Sequence, residues 1–237
     1  MNLIEPLAGS SFSRTFVPTL STMPTDPTRA RVVSVPAERL AGWVDQFRDR
    51  HGGLECLVVG PVLQLRAPDG ATADFAIPFP PLPPAPDALA TLIPHVVRDR
   101  RVGAILVRRG GYAVGVFLGS TLLRSKVGSS YVQGTTKAGG WSQQRYARRR
   151  ANQTDQAYAE AADVAARILL PEGDDLQGVY GGGDRVGVRA VLADPRLAPL
   201  ASLLIGPIRP TVDPRLRVLQ AFPEQFRAVD IALNPLA

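Results

Sequence analysis

The chain has 237 residues, 45% of them hydrophobic and 20% charged, the balance of a globular protein long enough to bury a core. Its 27 lysines and arginines against 21 acidic residues leave a formal charge of +6, which favours polyanionic partners such as nucleic acid. A single cysteine excludes an internal disulfide or a multi-cysteine zinc site; with no apolar run of signal-peptide or membrane-span length, the expected setting is the cytoplasm, with no membrane partner.

Residues 1–29 mix serine, threonine, proline and glycine with scattered hydrophobes and read as a poorly ordered tail. Arg31 to Val35 reads as a strand. Pro36 then suits a helix start, and Leu40, Trp43, Val44 and Phe47 repeat at helical spacing, with Trp43 in the core stripe. Strands are predicted over 54–59, 62–66 and 73–77, with Gly60-Pro61 and Asp69-Gly70 at the turns. Cys56, inside the apolar run 54–59, reads as a small buried hydrophobe. The six prolines between Pro78 and Pro86 exclude a central strand and read as a stiff linker. Residues 30–97 are thus expected to form a small α+β unit closed by a proline-rich linker.

From residue 98 the pattern changes, and 98–237 reads as a second, α/β domain. Residues 102–107, 112–117 and 121–127 predict three consecutive strands, with Arg109-Gly110-Gly111 and Gly119 at the turns of an antiparallel meander. The loop 128–143 is long and rich in glycine, serine and threonine, which favours a functional role. A helix over roughly 143–170 follows, ended by Pro171. Its second half is amphipathic through Tyr158, Ala161, Ala162, Ala165, Ile168 and Leu169, whereas its first half is polar all round. A helix without an apolar stripe has nothing to pack against, so the first half is expected to project from the body. Residues 176–180 read as a strand, Gly181 to Gly183 as a turn, and Asp184 as the N-cap of a helix through Val188, Val191 and Leu192. A helix near 214–220 and a last strand near 226–232 complete an expected three-layer arrangement.

The chemistry concentrates in Lys137-Ala138-Gly139-Gly140-Trp141-Ser142-Gln143-Gln144-Arg145, followed by Arg148, Arg149 and Arg150. Glycines let the backbone approach a ligand without an intervening side chain, and a main-chain amide aimed at a developing oxyanion is a strong catalytic device. A glutamine places water without changing charge. The opposing reading is an ordinary flexible turn. Arg145, Arg148 and Arg149 share roughly one helical face and Arg150 extends it. Guanidinium groups suit phosphate, and so dense a cluster repels itself unless a polyanion arrives; a merely solvated face is the alternative. Lys126 and Lys137 add charge beside it, while Trp141 and Tyr131 serve either to stack on an unpaired base or to anchor the loop. Neither His51 nor His95 forms a recognisable triad. Asp174, Asp175 and Asp184 lie in loop and cap positions and read as structural rather than metal-binding. No metal or cofactor is expected.

The run from Tyr131 through Gly139, Gly140, Gln143 and Arg145 to Arg150, set between three strands and a long basic helix, resembles the catalytic middle domain of eukaryotic-type peptide release factors. More closely it resembles the Vms-like release factors, in particular their bacterial branch of peptidyl-tRNA hydrolases, over roughly residues 98–237. In the classical factors the glutamine directly follows two glycines and in the Vms-like proteins one serine intervenes. Here both Trp141 and Ser142 intervene, so Gln143 is the position carried over as catalytic, with Gly139 and Gly140, and Gln144 is its alternative. The resemblance implies a ribonuclease-H-like fold without metal-binding carboxylates. It implies hydrolysis of the peptidyl-tRNA ester at the peptidyl-transferase centre of the large ribosomal subunit, in rescue of stalled ribosomes. Lys137, Trp141, Arg145, Arg148, Arg149 and Arg150 would contact RNA. Two rivals stand beside this reading: an endonuclease cleaving the tRNA 3′ end, and a non-catalytic rRNA- or tRNA-binding module.

Overall fold

The computed structural model describes residues 31–108, 111–129 and 141–237, so the predicted tail lies outside the described residues. Two sheets divide the rest. The first is built by β1 (Arg31–Pro36), β2 (Glu55–Val59), β3 (Val62–Arg66), β4 (Thr72–Ala76) and β9 (Ala228–Leu233), with helices α1 (Leu40–His51) and α2 (Ala88–Val97) packed on it. Its strand order is β1-β9-β4-β3-β2, antiparallel throughout.

Helix α1 buries Leu40, Val44, Phe47 and His51, a stripe at helical spacing, and Trp43 stacks on Phe47 with ring centres 5.3 Å apart. It ends at Gly52, whose φ of 77° permits the left-handed cap in which its amide donates to the Arg48 carbonyl. Alternation along β3 and β4 sends Leu63, Leu65, Ala73 and Phe75 to the same core. Helix α2 is absent from the predicted elements, although Asp87 caps it by accepting from the Ala90 amide at 2.9 Å. Its internal Pro94 and the prolines before it disguise the helical spacing of Leu89, Leu92 and Val96.

The second sheet has the order β7-β6-β5-β8, from β5 (Arg101–Arg108), β6 (Gly111–Leu118), β7 (Thr121–Ser129) and β8 (Gly178–Gly183). The predicted antiparallel meander β5-β6-β7 is present, and β8 runs parallel to β5. One face packs against α3 (Trp141–Leu169) and α4 (Arg185–Leu192) through Ile105, Val114, Ala161, Ala165, Val188 and their neighbours. The other packs against α6 (Leu216–Ala221) and α7 (Pro223–Phe226) through Phe117, Tyr180, Phe222 and Phe226. Short α5 (Ala198–Ser202) buries Leu200 beside α4. The chain is therefore a mixed α/β protein with two sheets, the second sandwiched between helical layers.

Four expectations are corrected. The last strand does not join the second sheet. It lies between β1 and β4 in the first, pairing Val33 with Ile231 and Phe75 with Ile231. Cys56 is exposed, because β2 is the edge strand and every one of its residues is exposed. Gly181 to Gly183 form no turn but continue β8: side chains from both layers close so tightly on the strand that a Cβ at Gly181 would stand 2.9 Å from Val188 Cγ1 and 3.0 Å from Ile208 Cγ1. Nor is the proline segment a free linker. Leu82 is buried in the first core, and Phe79 meets Tyr180 of β8 edge-on at 6.0 Å.

Candidate nucleic-acid interface

Helix α3 carries most of the sequence-derived site. It is 29 residues long and begins at Trp141, two residues before the expected start. Gln143 is therefore the third residue of a helix rather than the last of a loop, and Gln144 follows in the same turn. The first four amides of an α-helix have no carbonyl partner within it, and Gln143 falls among these positions at the electropositive end of the helix. Positions 145, 148 and 149 fall on adjacent turns of one face of the helix backbone, with 150 beside them. Lys137, Gly139 and Gly140 lie outside the described residues, as does Tyr131.

The C-terminal half holds α3 to the sheet. Ala157, Ala161, Ala162, Val164, Ala165, Ile168 and Leu169 are buried, and the small side chains let the helix lie close on β6. Pro171 cannot continue the α-helix, which tightens into a 3-10 turn over Leu170–Glu172. Glu172 receives Arg101 at 2.7 Å and fastens that end to β5. Burial ceases toward the N-terminus: residues 152–156 include no buried side chain. The helix backbone continues from residue 156 back to Trp141, 16 residues or about 24 Å.

Two close contacts were not anticipated, one at the base of this helix and one at the end of β7. At Gly187 a Cβ would stand 3.0 Å from the Tyr158 ring, so α4 approaches α3 where the buried stripe ends. Burial, with Asp184 and Asp155 nearby, pushes the Tyr158 phenol above its ordinary pKa. At the end of β7 the buried Tyr112 ring lies against Gly128, where no side chain would fit. Burial likewise raises the Tyr112 phenol, as does Glu160. A glycine before a glycine- and serine-rich loop looks like part of the loop, and only the cross-strand pair Tyr112–Gly128 gives it a packing role.

Charge is distributed unusually along α3. Its first turn holds no acidic residue, whereas arginines occupy positions 145, 148, 149 and 150. Cations near a helix N-terminus oppose the macrodipole and each other, so this placement works against helix stability. Lys126 adds an exposed cation on β7, the edge strand leading toward the segment. The histidines have structural partners instead: His51 Nδ1 meets Asp69 at 2.6 Å and His95 Nε2 meets the Pro78 carbonyl at 2.8 Å. Asp184 caps α4 by accepting from the Val186 amide at 3.0 Å. Among the described residues no group of three or more histidine, cysteine or acidic side chains converges as metal ligands, and no helix is long and apolar enough to cross a membrane.

A family profile described as Actinobacteria/chloroflexi VLRF1 release factor matches residues 100–232. Among solved structures the chain is similar to the crystal structure of an archaeal translation termination factor, aRF1, at 14% identity and a TM-score of 0.41, over 83% of this chain and 66% of that one. It is also similar to a structure titled archaeal protein, at 14% identity and a TM-score of 0.35, over 80% of this chain and 62% of that one. The chain thus spans just under two thirds of the length of each. No curated protein matches it.

Proposed function

The chain belongs to the Actinobacteria/chloroflexi VLRF1 release factor family, and on that premise we propose that it is a peptidyl-tRNA hydrolase that rescues stalled ribosomes in the cytoplasm. The observation that carries the reading is the span of the family match, which takes in the glycine pair, Gln143 and the whole of α3. We read residues 98–237 as the catalytic unit, of ribonuclease-H-like kind, and residues 30–97 as an accessory unit whose sheet is completed by β9.

In this reading the Gly139-Gly140-Trp141-Ser142-Gln143 tip enters the peptidyl-transferase centre of the large subunit beside the tRNA 3′ end. Water attacks the ester carbonyl carbon, the bond to the ribose oxygen breaks, and the tRNA leaves with its 3′ hydroxyl restored. The Gln143 amide stabilises the negative charge that develops on oxygen, and the Gln143 side chain helps place the water. Gly140 keeps the backbone free of a side chain that would hold it away. Lys137, Arg145, Arg148, Arg149 and Arg150 bind phosphates of rRNA or the tRNA acceptor end, and Trp141 stacks on a base. The helical extension from 141 to 156 supports this reading because it gives the tip reach from a braced base. A polyanion would also neutralise the arginine cluster that the helix carries at a cost to its own stability.

The test uses the purified chain and a stalled ribosomal complex with labelled peptidyl-tRNA, and both the peptide and the tRNA 3′ end are analysed. Free peptide with an intact 3′ end, lost in Gly140→Val, is the expected result. Peptide still joined to a nucleotide, with shortened tRNA, would instead establish an endonuclease. Binding without release would leave a non-catalytic RNA-binding module.

A further inference from the structure

The junction between the two sheets contains a buried cation that no carboxylate answers. Arg100 is only 7% exposed. Its guanidinium carbon lies 4.5 Å above the Phe79 ring centre, Nη1 donates to the His95 carbonyl at 2.7 Å, and Nη2 lies 3.3 and 3.4 Å from the His95 ring nitrogens. None of these partners is an anion. Burying a guanidinium without a counter-charge is costly, and burial together with the positive charges of Arg98 and Arg227 lowers the Arg100 pKa, only partly offset by Tyr180.

Arg100 helps line a narrow cleft between the sheets, with Arg98, Arg227, Phe79, Val102 and Phe226. Arg98 is exposed at this cleft and makes no ion pair among the described residues. Arg227 is matched, with Nη1 3.1 Å from Asp99 and Nη2 2.9 Å from Glu38, and both carboxylates are mostly exposed. Three arginines therefore line one cleft, and the two nearby carboxylates, Asp99 and Glu38, are both taken up by Arg227. Forked donors over apolar and aromatic walls suit a tetrahedral oxyanion.

We propose that this cleft binds a single phosphate group through Arg98 and Arg100, supplied by inorganic phosphate or by a nucleic-acid backbone. The inference does not rest on the activity proposed above. Gly119, on the cleft wall, precedes β7, whereas the tip follows it; nine strand residues, about 30 Å, lie between.

The experiment titrates the full chain calorimetrically with inorganic phosphate at an ionic strength held constant with chloride, and separately with a short labelled single-stranded RNA. The expected result is one phosphate per chain, bound about tenfold more weakly by Arg98→Ala and not at all by Arg98→Glu. Arg48→Ala, a surface arginine on α1, should leave binding unchanged. Circular dichroism checks that each variant folds, and the exposed Arg98 is chosen because Arg100 supports the junction itself. If Arg98→Ala also weakens RNA binding and phosphate competes with RNA, the natural group is a backbone phosphate. If phosphate binds through Arg98 while RNA is indifferent to it, the group is a free anion. Absence of phosphate binding, or binding that survives both Arg98 variants, overturns the proposal.

Discussion

Gly140 and Gln143 contribute differently to the proposed chemistry, and substitution separates them. Gly140→Val puts a branched side chain between the backbone and the reacting centre, so release should fall by about 10²–10³-fold, the scale of one lost oxyanion donor. Gln143→Ala keeps the amide and loses only the side chain, so its loss should be the smaller of the two in the same single-turnover release assay. Equal losses would mean that the glutamine side chain, not the backbone, carries the chemistry. Far from this site, Asp69 sets part of the acid response of the fold. Its carboxylate is held below the ordinary range by the hydrogen bond with His51 and by the Ala71 amide. A carboxyl with a depressed folded pKa stabilises fully above its unfolded value, near 4, and loses that contribution as pH falls through the folded value. Melting temperatures measured from neutral pH to below pH 4 should therefore converge for the native chain and Asp69→Asn on the acid side, the native chain being the more stable at neutral pH.

At the scale of elements, α3 divides into an anchored half and an extended half, and the division is visible in its composition. Ala157, Ala161, Ala165, Ile168 and Leu169 recur at helical spacing and are buried, whereas residues 152–156 include no buried side chain. The start of the helix was less legible. Glycines and a serine around Trp141 are loop-forming residues by propensity, yet the backbone is helical from Trp141, so Gln143 sits in the first helical turn. If the arginines of this half bind phosphate, replacing both Arg148 and Arg149 by alanine should weaken ribosome binding. It should also flatten the plot of log affinity against log salt by about 1.5, roughly 0.7–0.9 for each phosphate no longer neutralised. An unchanged slope would remove these arginines from the interface. Element β8 shows the opposite case. A glycine run is locally a turn signal, but here it is a strand whose lack of side chains lets Leu106, Val188, Ile208 and Phe222 close on it from both layers.

At the scale of the whole molecule, the two sheets are interlocked rather than strung in series. The final strand β9 returns from the second sheet and fills the place between β1 and β4. Arg209 reaches Asp230 of β9 at 2.7 Å, both side chains largely buried, while Ser34 of β1 donates to the same carboxylate at 2.6 Å. Removing residues 228–237 should strip the ladder partners from both neighbours and expose Val35, Phe75 and Leu63 of the first core. Hydrogen exchange across residues 55–76 should then approach that of an unfolded segment, while the meander 101–129 keeps more of its protection. Equal protection in both regions of the truncated chain would show that the first sheet closes without β9.

Sequence alone determined the local elements and singled out the residues from which the tip's chemistry is proposed. Strand alternation, the helical spacing in α1, α3 and α4, the Asp184 cap and the glycine–glutamine–arginine series all depend on neighbours a few residues apart, and periodicity reads such neighbours directly. It did not determine which strands pair across long separations. The alternation of 228–233 announces a strand, but its partners lie some 160 and 200 residues earlier in the chain. Burial is decided in the same way. Cys56 lies in an apolar run and is exposed because, among the described residues, no further strand covers the edge at β2, and Arg100 is charged and buried because the proline segment folds Phe79 over it. Such outcomes depend on what the rest of the chain brings alongside a residue, and only the packed structure supplies that.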